Sequence, residues 1–305
     1  MLKVQNQDSH PTSVDKLRSD RPVGQPMLML DQVSRRYGTR TVLHNLSFSL
    51  HKGQSLILRG GNGSGKSTLL KLVAGMIPTS SGTVRRNGRH LRIGFAPDRL
   101  PKLRLTSEEY LTHMGRIAGM NKVNLSRRIE ELHDLLELPA GSSSLMLHYS
   151  KGMLQKVNLM QAVLNEPSLL LLDEPFSGLD TASSNQLLSL LHGMRAQGTA
   201  IMTALHDPLP SWEAVSTTYR LQEGQLRLEE GPAEGHLASA SYELDGLLPD
   251  VEQAALAAKF PSVQWSAAEN VVRCEIPGAE YEDFVQHFWR AGGTLLSLRR
   301  EEGRS

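Results

Sequence analysis

The chain has 305 residues, and its 33 Lys and Arg against 32 Asp and Glu leave a net charge of +1. Such a balance excludes a global electrostatic field that would recruit nucleic acid or acidic lipid. Hydrophobic residues make up 39% and charged residues 21%, which is typical of a globular protein and excludes wholesale disorder. The single cysteine, Cys274, excludes an internal disulfide framework and a cysteine-rich zinc site. The length predicts one large domain with a smaller module.

The first 26 residues mix charged residues, Pro and Ser without periodicity, and they lack the apolar core of a signal peptide. We expect residues 1–26 to form a disordered leader. No stretch of the chain approaches the roughly 18 consecutive apolar residues that a membrane-spanning helix requires. The sequence therefore predicts a chain that does not cross a membrane by itself.

From Met27 onward, short apolar runs that are typical of strands alternate with helical patterns. The predicted elements are strands in MLML, Leu46–Leu50 and Ser55–Arg59, a helix in STLLKLVAG, helices at Ser107–Gly119, Leu125–Leu138 and Lys151–Asn165, a strand at Ser168–Leu172, a helix at Ala182–Ala196, and strands at Thr199–Leu205, Thr217–Leu221 and Gln225–Leu228. This alternation predicts an α/β domain over residues 27–230 with a mostly parallel sheet covered on both faces. The helical block at about 100–165 interrupts the alternation and is predicted to be an inserted subdomain.

Beyond Gly231, the small-residue stretch GPAEGHLASAS is typical of a linker. Residues 241–305 are predicted to form a small C-terminal α+β domain with a core of its own. Its predicted elements are a helix at Val251–Phe260, strands at Val263–Trp265 and Val271–Ile276, a helix at Tyr281–Ala291, and a strand at Thr294–Arg299.

A glycine-rich segment between a predicted strand and a predicted helix matches the pattern G-x-x-x-x-G-K-[ST]. It consists of Gly60, Gly61, Asn62, Gly63, Ser64, Gly65, Lys66 and Ser67, and Thr68 follows as a further predicted nucleotide-binding residue. Backbone N–H groups of such a loop surround phosphate oxygens at the positive end of the helix. Lys66 would then neutralise the β- and γ-phosphates, and the Ser67 hydroxyl would coordinate Mg²⁺. A strand-to-helix turn without a ligand is the alternative, which the full match in this context disfavours.

A second element is the apolar run LLLLDE at Leu169–Glu174, which predicts a buried strand that ends in two carboxylates. Ligands of α/β sheets bind at the carboxyl ends of strands. There Asp173 is placed to hold Mg²⁺ and Glu174 to act as the general base for a water that attacks the γ-phosphate. Capping of the next helix is the alternative, which is disfavoured once the phosphate loop is present.

Together these motifs resemble ABC-type ATPases in order and spacing, over about Met27 to Leu228. The resemblance rests on the phosphate loop, LLLLDEP, SGLD at Ser177–Asp180, YSKGMLQKV at Tyr149–Val157, and His206 after the next strand. It implies a P-loop ATPase domain that binds ATP with Mg²⁺ and hydrolyses it.

By this resemblance, Ser150, Gly152 and Met153 belong to a signature segment that contacts ATP bound to the opposite subunit of a head-to-tail dimer. Asp180 matches a residue that communicates between the two sites. His206 matches a histidine that senses the γ-phosphate and is therefore predicted, with Glu174, to be catalytic.

Tyr37 lies where family members stack an aromatic ring on adenine, although a surface turn would also suit it. Two positions depart from the family pattern: Asp98 stands where Gln is usual, and Lys151 replaces the first glycine of the signature. The shorter, charged Asp98 side chain puts its reach to the metal in doubt. Both departures, in PDRLPKLRLTSEEYL and YSKGM, resemble exporter-type systems.

The resemblance implies an ATP-binding subunit of an ABC transporter, acting as a homodimer or paired with a homologous ATPase subunit. It further implies a separately encoded integral membrane permease, a cytoplasmic location peripheral to the membrane, export as the direction, and no nucleic-acid partner. One alternative is a soluble ABC-type ATPase that acts on DNA or ribosomes. That alternative is disfavoured because the chain lacks both a long coiled coil and a second cassette. The other is a non-catalytic nucleotide-dependent regulator, which intact Lys66, Glu174 and His206 disfavour.

Overall fold

The computed structural model describes residues 25–88, 91–139, 144–229, 241–268, 271–277 and 280–301. The expected leader (1–26, apart from its last two residues) and the expected linker lie outside these described ranges. Three sheets are present in the described part of the chain, two in the ATP-motif region and one near the C-terminus. The α/β class expected from the alternation of strands and helices is confirmed.

The central sheet has six strands in the order β5-β6-β7-β3-β8-β9. These are β3 (Ser55–Arg59), β5 (Ile93–Ala96), β6 (Leu169–Asp173), β7 (Ala200–Leu205), β8 (Thr217–Gln222) and β9 (Gln225–Leu228). The first five strands in this order, β5, β6, β7, β3 and β8, run parallel to one another. The last strand, β9, pairs antiparallel with β8 at the edge of the sheet. Every residue of β6 and β7 is buried, as expected for the centre of a parallel sheet covered on both faces.

A second, antiparallel sheet has the order β2-β1-β4. Its strands are β1 (Leu28–Tyr37), β2 (Arg40–Leu50) and β4 (Ser81–Arg86). Along β2 the burial alternates, because successive side chains of a strand point to opposite faces. The sequence analysis missed β4, since SGTVRR has little apolar character of its own. Antiparallel pairing with β1 holds this segment in the sheet instead.

The described residues of this region include five helices of eight or more residues, and a side-chain cap marks the start of four of them. They are α1 (Lys66–Val73), α2 (Ser107–Ile117), α3 (Lys122–Leu135), α4 (Lys151–Val163) and α5 (Thr181–Ala196). Thr106 and Glu109 form a reciprocal capping box at α2, and Asn121 caps α3. Ser150 and Asp180 cap α4 and α5 in the same way. A four-residue helix, α6 (Pro210–Glu213), follows β7.

The residues near the C-terminus form an antiparallel sheet, β11-β12-β10-β13, with two helices. We call this unit, residues 241–301 as described, the C-terminal module. It comprises β10 (Ser241–Leu247), α7 (Asp250–Lys259), β11 (Gln264–Ala268), β12 (Val271–Pro277), α8 (Tyr281–Arg290) and β13 (Thr294–Glu301). The central strand β10 was missed, because SYELDGL interleaves charged residues and Gly with its apolar positions.

The core of the C-terminal module is continuous with that of the larger domain. Its buried residues, among them Phe284 and Phe288, belong to one continuous apolar cluster with Leu187 and Leu191 of α5 and Trp212 of α6. The module therefore packs on the helical layer of the larger domain. The boundary at residue 241 stays a prediction. No helix among the described residues is long and apolar enough to span a membrane.

Candidate functional site

The order of the central strands brings three chain segments to one edge of the sheet. The phosphate loop follows β3, Glu174 follows β6, and His206 follows β7, which lies between those two strands. Because the three strands are parallel, their carboxyl ends meet at the same edge. The site expected from separate motifs is thus assembled at that edge.

Gly60 and Gly65 of the phosphate loop have backbone conformations that other residues rarely adopt. Gly60 has φ +154° and Gly65, directly before α1, has φ +111°. A Cβ on Gly60 would lie 2.5 Å from the Leu221 carbonyl oxygen, so a side chain there would force the loop away from β8. The loop is thereby fixed with the amino end of α1 at its centre.

Lys66 is nearly buried and bends back over the loop. Its Nζ donates a hydrogen bond to the Gly60 carbonyl oxygen over 2.6 Å and lies 3.7 Å from Glu174 Oε1. The Lys66 ammonium is therefore placed to form a charged hydrogen bond with a phosphate group bound in the loop.

Asp173 and Glu174 leave β6 in different environments. Asp173 is buried and accepts a hydrogen bond from the Ser67 hydroxyl. Desolvation raises the pKa of Asp173, and the nearby Asp98 carboxylate adds to the rise. This pair of oxygen donors, the half-buried Ser67 hydroxyl and the buried Asp173 carboxylate, fits Mg²⁺, which takes one or two protein oxygens together with phosphate oxygens.

Glu174 has φ +51°, a left-handed conformation that turns its side chain toward the loop. Its Oε2 accepts the backbone N–H of His206 over 3.1 Å. Desolvation raises the pKa of Glu174, while the charge of Lys66 opposes that rise. A carboxylate with a raised pKa beside a phosphate site is suited to accept a proton.

These groups line one open cavity of about 650 Å³. Its lining comprises Gly61, Asn62, Gly63, Ser64, Gly65, Lys66, Ser67, Thr68, Asp98, Asp173, Glu174 and His206, together with Arg40, Val42, Arg99, Phe176, Ser177, Leu205, Asp207, Pro208 and Leu209. The sequence analysis assigned none of this second group to the cavity, although Ser177 belongs to the SGLD motif. Arg40 and Val42 enter from β2, another sheet, so no local pattern could have indicated them.

Asp98 lies at this cavity, and its Oδ2 is 3.3 Å from Arg99 Nε. His206 is half exposed, and its Nδ1 is 3.3 Å from Asp207 Oδ1. Both positions suit contact with a bound nucleotide.

Tyr37 does not line the cavity. It is 47% exposed, and the Arg35 guanidinium lies 4.3 Å from the centre of its ring. Stacking of this ring on adenine stays a prediction.

The signature residues also lie outside the lining of their own chain's cavity. Ser150 Oγ accepts the Met153 N–H over 3.1 Å, which fixes the first turn of α4. Gly152 faces the segment before α5 so closely that a Cβ would lie 2.7 Å from the Gly178 carbonyl oxygen. Lys151 Nζ donates to Ser177 Oγ over 2.7 Å.

Asp180 caps α5 by accepting the Ser183 N–H over 2.7 Å, and this bond is the main cause of its lowered pKa. The signature segment and the start of α5 therefore form one packed surface, which meets the cavity at Ser177.

The sequence profile described as "ABC transporter" matches residues 43–177. The zinc import ATP-binding protein ZnuC of Yersinia pestis is 37% identical over 186 residues, which cover 59% of this chain and 70% of ZnuC. The linearmycin resistance ATP-binding protein LnrL of Bacillus subtilis is 29% identical over 190 residues, or 59% of this chain. The chain spans 61% of the length of LnrL.

A solved structure described as the ATP-binding subunit of an ABC transporter superposes with a TM-score of 0.61 at 29% identity, covering 67% of this chain and 90% of the other. The predicted family and fold are thus confirmed. With its phosphate loop, Asp173, Glu174 and His206 gathered at one cavity, this chain belongs to the ABC transporter family and carries its ATP-hydrolysing, ATP-binding domain.

Proposed function

We propose that this chain is the subunit that energises a separately encoded integral membrane permease by hydrolysing MgATP. The observation that carries the proposal is the convergence of Lys66, Ser67, Asp173, Glu174 and His206 on one cavity. Together these groups would be sufficient to position a γ-phosphate, an attacking water and a proton acceptor.

In the proposed mechanism, the phosphate loop and Lys66 bind the β- and γ-phosphates. Ser67 and Asp173 would hold Mg²⁺, which neutralises charge on the phosphate oxygens when bound. Glu174 Oε1 or Oε2 accepts the proton of the attacking water. The backbone N–H of His206 holds the Glu174 carboxylate in place, and the His206 imidazole would contact the γ-phosphate.

We further propose a head-to-tail pair of cassettes, either a homodimer or a pair with a homologous subunit. Support comes from Ser150 and Gly152, which the fold holds rigidly but outside their own cavity. A second subunit would bring its signature segment over this phosphate loop. Asp180 lies on the same surface and would face the partner.

We propose that the transporter is an exporter and that this chain lies at the cytoplasmic face of the membrane. The segments around Asp98 and Ser150 support export by their resemblance to exporter-type systems. ZnuC is described as an import protein and LnrL as a resistance protein, so the relatives include both kinds of role.

The experiment is a pull-down from detergent-solubilised membranes with the full chain as bait, in parallel for the wild type and the Glu174→Gln variant. ATP is added to both, because the variant should then keep the pair of cassettes closed. A polytopic membrane protein that copurifies with the wild type and the variant supports the proposal. Lys66→Ala is the matched control and should lose the ATP-dependent part of the association. Capture of ribosomes or DNA instead would favour a soluble ABC-type ATPase. Vesicles prepared with the copurified protein then decide between export and import.

A further inference from the structure

The short helix α6 (Pro210–Glu213) lies between the nucleotide cavity and the C-terminal module. Glu213 Oε1 accepts the Leu209 N–H over 2.6 Å and also pairs with the Arg59 guanidinium. Arg59 is the last residue of β3, directly before Gly60, and Leu209 lines the cavity three residues after His206. Glu213 therefore ties the loop that carries His206 to the strand that carries the phosphate loop.

The residue before Glu213 connects α6 to the rest of the molecule through aromatic rings. Trp212 is fully buried, and the centre of its ring lies 5.2 Å from that of His192 in an edge-to-face arrangement. On its other side, His192 stacks on Trp289 of the C-terminal module, with 5.4 Å between ring centres. Burial lowers the pKa of His192 to about 3, so the ring between the two tryptophans is neutral at pH 7.

Other contacts dock the C-terminal module on the same helical layer. Asn185 Nδ2 of α5 donates to the Leu296 carbonyl oxygen of β13 over 3.0 Å. A small, partly open cavity of about 150 Å³ lies beside this contact and is lined by His192, Val285 and Trp289 among others. Trp212 of α6 and Trp289 of the module thus lie on the two sides of the same buried ring, His192.

From this continuous path we infer that the C-terminal module sets the position of the His206 loop for hydrolysis, through Trp289, His192, Trp212 and Glu213. These are positioning residues, since none of the four touches the cavity that would hold the nucleotide. The inference rests on the proposed hydrolytic role of the cavity and deepens it. Anything that changes the docking of the module would alter turnover more than nucleotide affinity, because the phosphate loop and Lys66 are held by their own bonds.

The test compares two half-buried tryptophans of the same module in the full chain. Trp289 stacks on His192, whereas Trp265 contacts Phe284 inside the module. We expect Trp289→Leu to lower kcat by roughly tenfold with KM for ATP within about twofold, as a misplacement of a reacting group predicts. Trp265→Leu, the matched control, should retain wild-type kcat, and Trp289→Phe should recover most of it by keeping a ring on His192.

A second measurement keeps the inference falsifiable where Trp289→Leu disturbs the fold of the module. Hydrogen exchange at the Leu209 amide should be faster in Glu213→Ala than in Glu213→Gln, because only Gln keeps an oxygen that accepts this N–H. The order of kcat should be the same, with Glu213→Ala the slower variant. Equal kcat losses in Trp289→Leu and Trp265→Leu, or an unchanged kcat in Glu213→Ala, would overturn the inference. Turnover by the wild type tests the hydrolytic role by itself, so the two failures are distinguishable.

Discussion

The backbone N–H of His206 donates a hydrogen bond to Glu174 Oε2 over 3.1 Å, across the ends of two adjacent strands. The bond holds the carboxylate between the His206 loop and Lys66, whose Nζ is 3.7 Å from the other carboxylate oxygen. The proposed base is thus held between two residues that line the same cavity.

The first prediction concerns this carboxylate. Glu174→Gln should lower kcat for ATP by about 10²–10⁴-fold, because the amide keeps the shape and the oxygen that accepts the His206 N–H but takes up no proton. Nucleotide affinity, measured by calorimetry, should stay close to that of the wild type. Turnover within a fewfold of wild type would move the base elsewhere, and Asp98 would be the next residue to replace.

The raised pKa of Glu174 predicts the pH dependence of turnover. Because desolvation lifts this pKa above its ordinary value, the carboxylate becomes protonated and inactive at a higher pH than an exposed Glu would. The sign is therefore a loss of kcat as the pH falls through the raised pKa. A pH profile of kcat measures it, at saturating MgATP. An acidic limb at the pKa of an ordinary exposed Glu would contradict the assignment.

Lys66 should affect both the affinity for ATP and the pKa of Glu174. Lys66→Ala should weaken ATP binding by roughly tenfold to hundredfold, the cost of losing a charged hydrogen bond. Removing this cation should also raise the pKa of Glu174 further, because Lys66 is the largest influence that lowers it. Calorimetric titration of the full chain measures the first effect, and unchanged affinity would refute the assigned phosphate loop.

Gly152 offers a test of the signature surface with a matched control. Gly152→Ala would place a methyl group 2.7 Å from the Gly178 carbonyl oxygen and push α4 away from the segment before α5. We expect turnover to fall on the order of tenfold, while ATP binding to the monomer is unchanged. Gly193→Ala in α5 meets no atom within 4 Å and should leave turnover intact while stabilising the helix by up to about 1 kcal/mol. If both variants hydrolyse ATP like the wild type, close packing at Gly152 has no role in the reaction.

His192 predicts how the stability of the chain depends on pH. In the folded chain its pKa is lowered to about 3 from an ordinary 6.5, so between these values the unfolded chain binds more protons. The free energy of unfolding should therefore rise with pH across this window, by at most about 1.4 kcal/mol per pH unit from this residue. Above the ordinary value, the contribution is constant.

Thermal unfolding at several pH values measures this slope. His192→Phe, which keeps a ring between the two tryptophans, should unfold with a shallower dependence on pH below the ordinary value. Identical slopes for the variant and the wild type would show that His192 gains a proton without unfolding.

Contiguous sequence by itself determined much of the candidate site. Eight consecutive residues build the phosphate loop, and one apolar strand delivers Asp173 and Glu174 to its end. The caps of α2, α4 and α5 are equally local, since each joins residues three positions apart. Local hydrogen bonds and the alternation of apolar residues need no knowledge of the rest of the chain, and these features were predictable for that reason.

Tertiary structure decided which distant segments meet. Glu213 and Arg59 are separated by 154 positions, and they meet because β8, the strand that follows α6, lies beside β3. The contact of His192 with Trp289 likewise exists only because the C-terminal module packs on α5. The order of strands in a sheet and the docking of one layer on another are set by burial summed over the whole core, which no single segment of sequence contains.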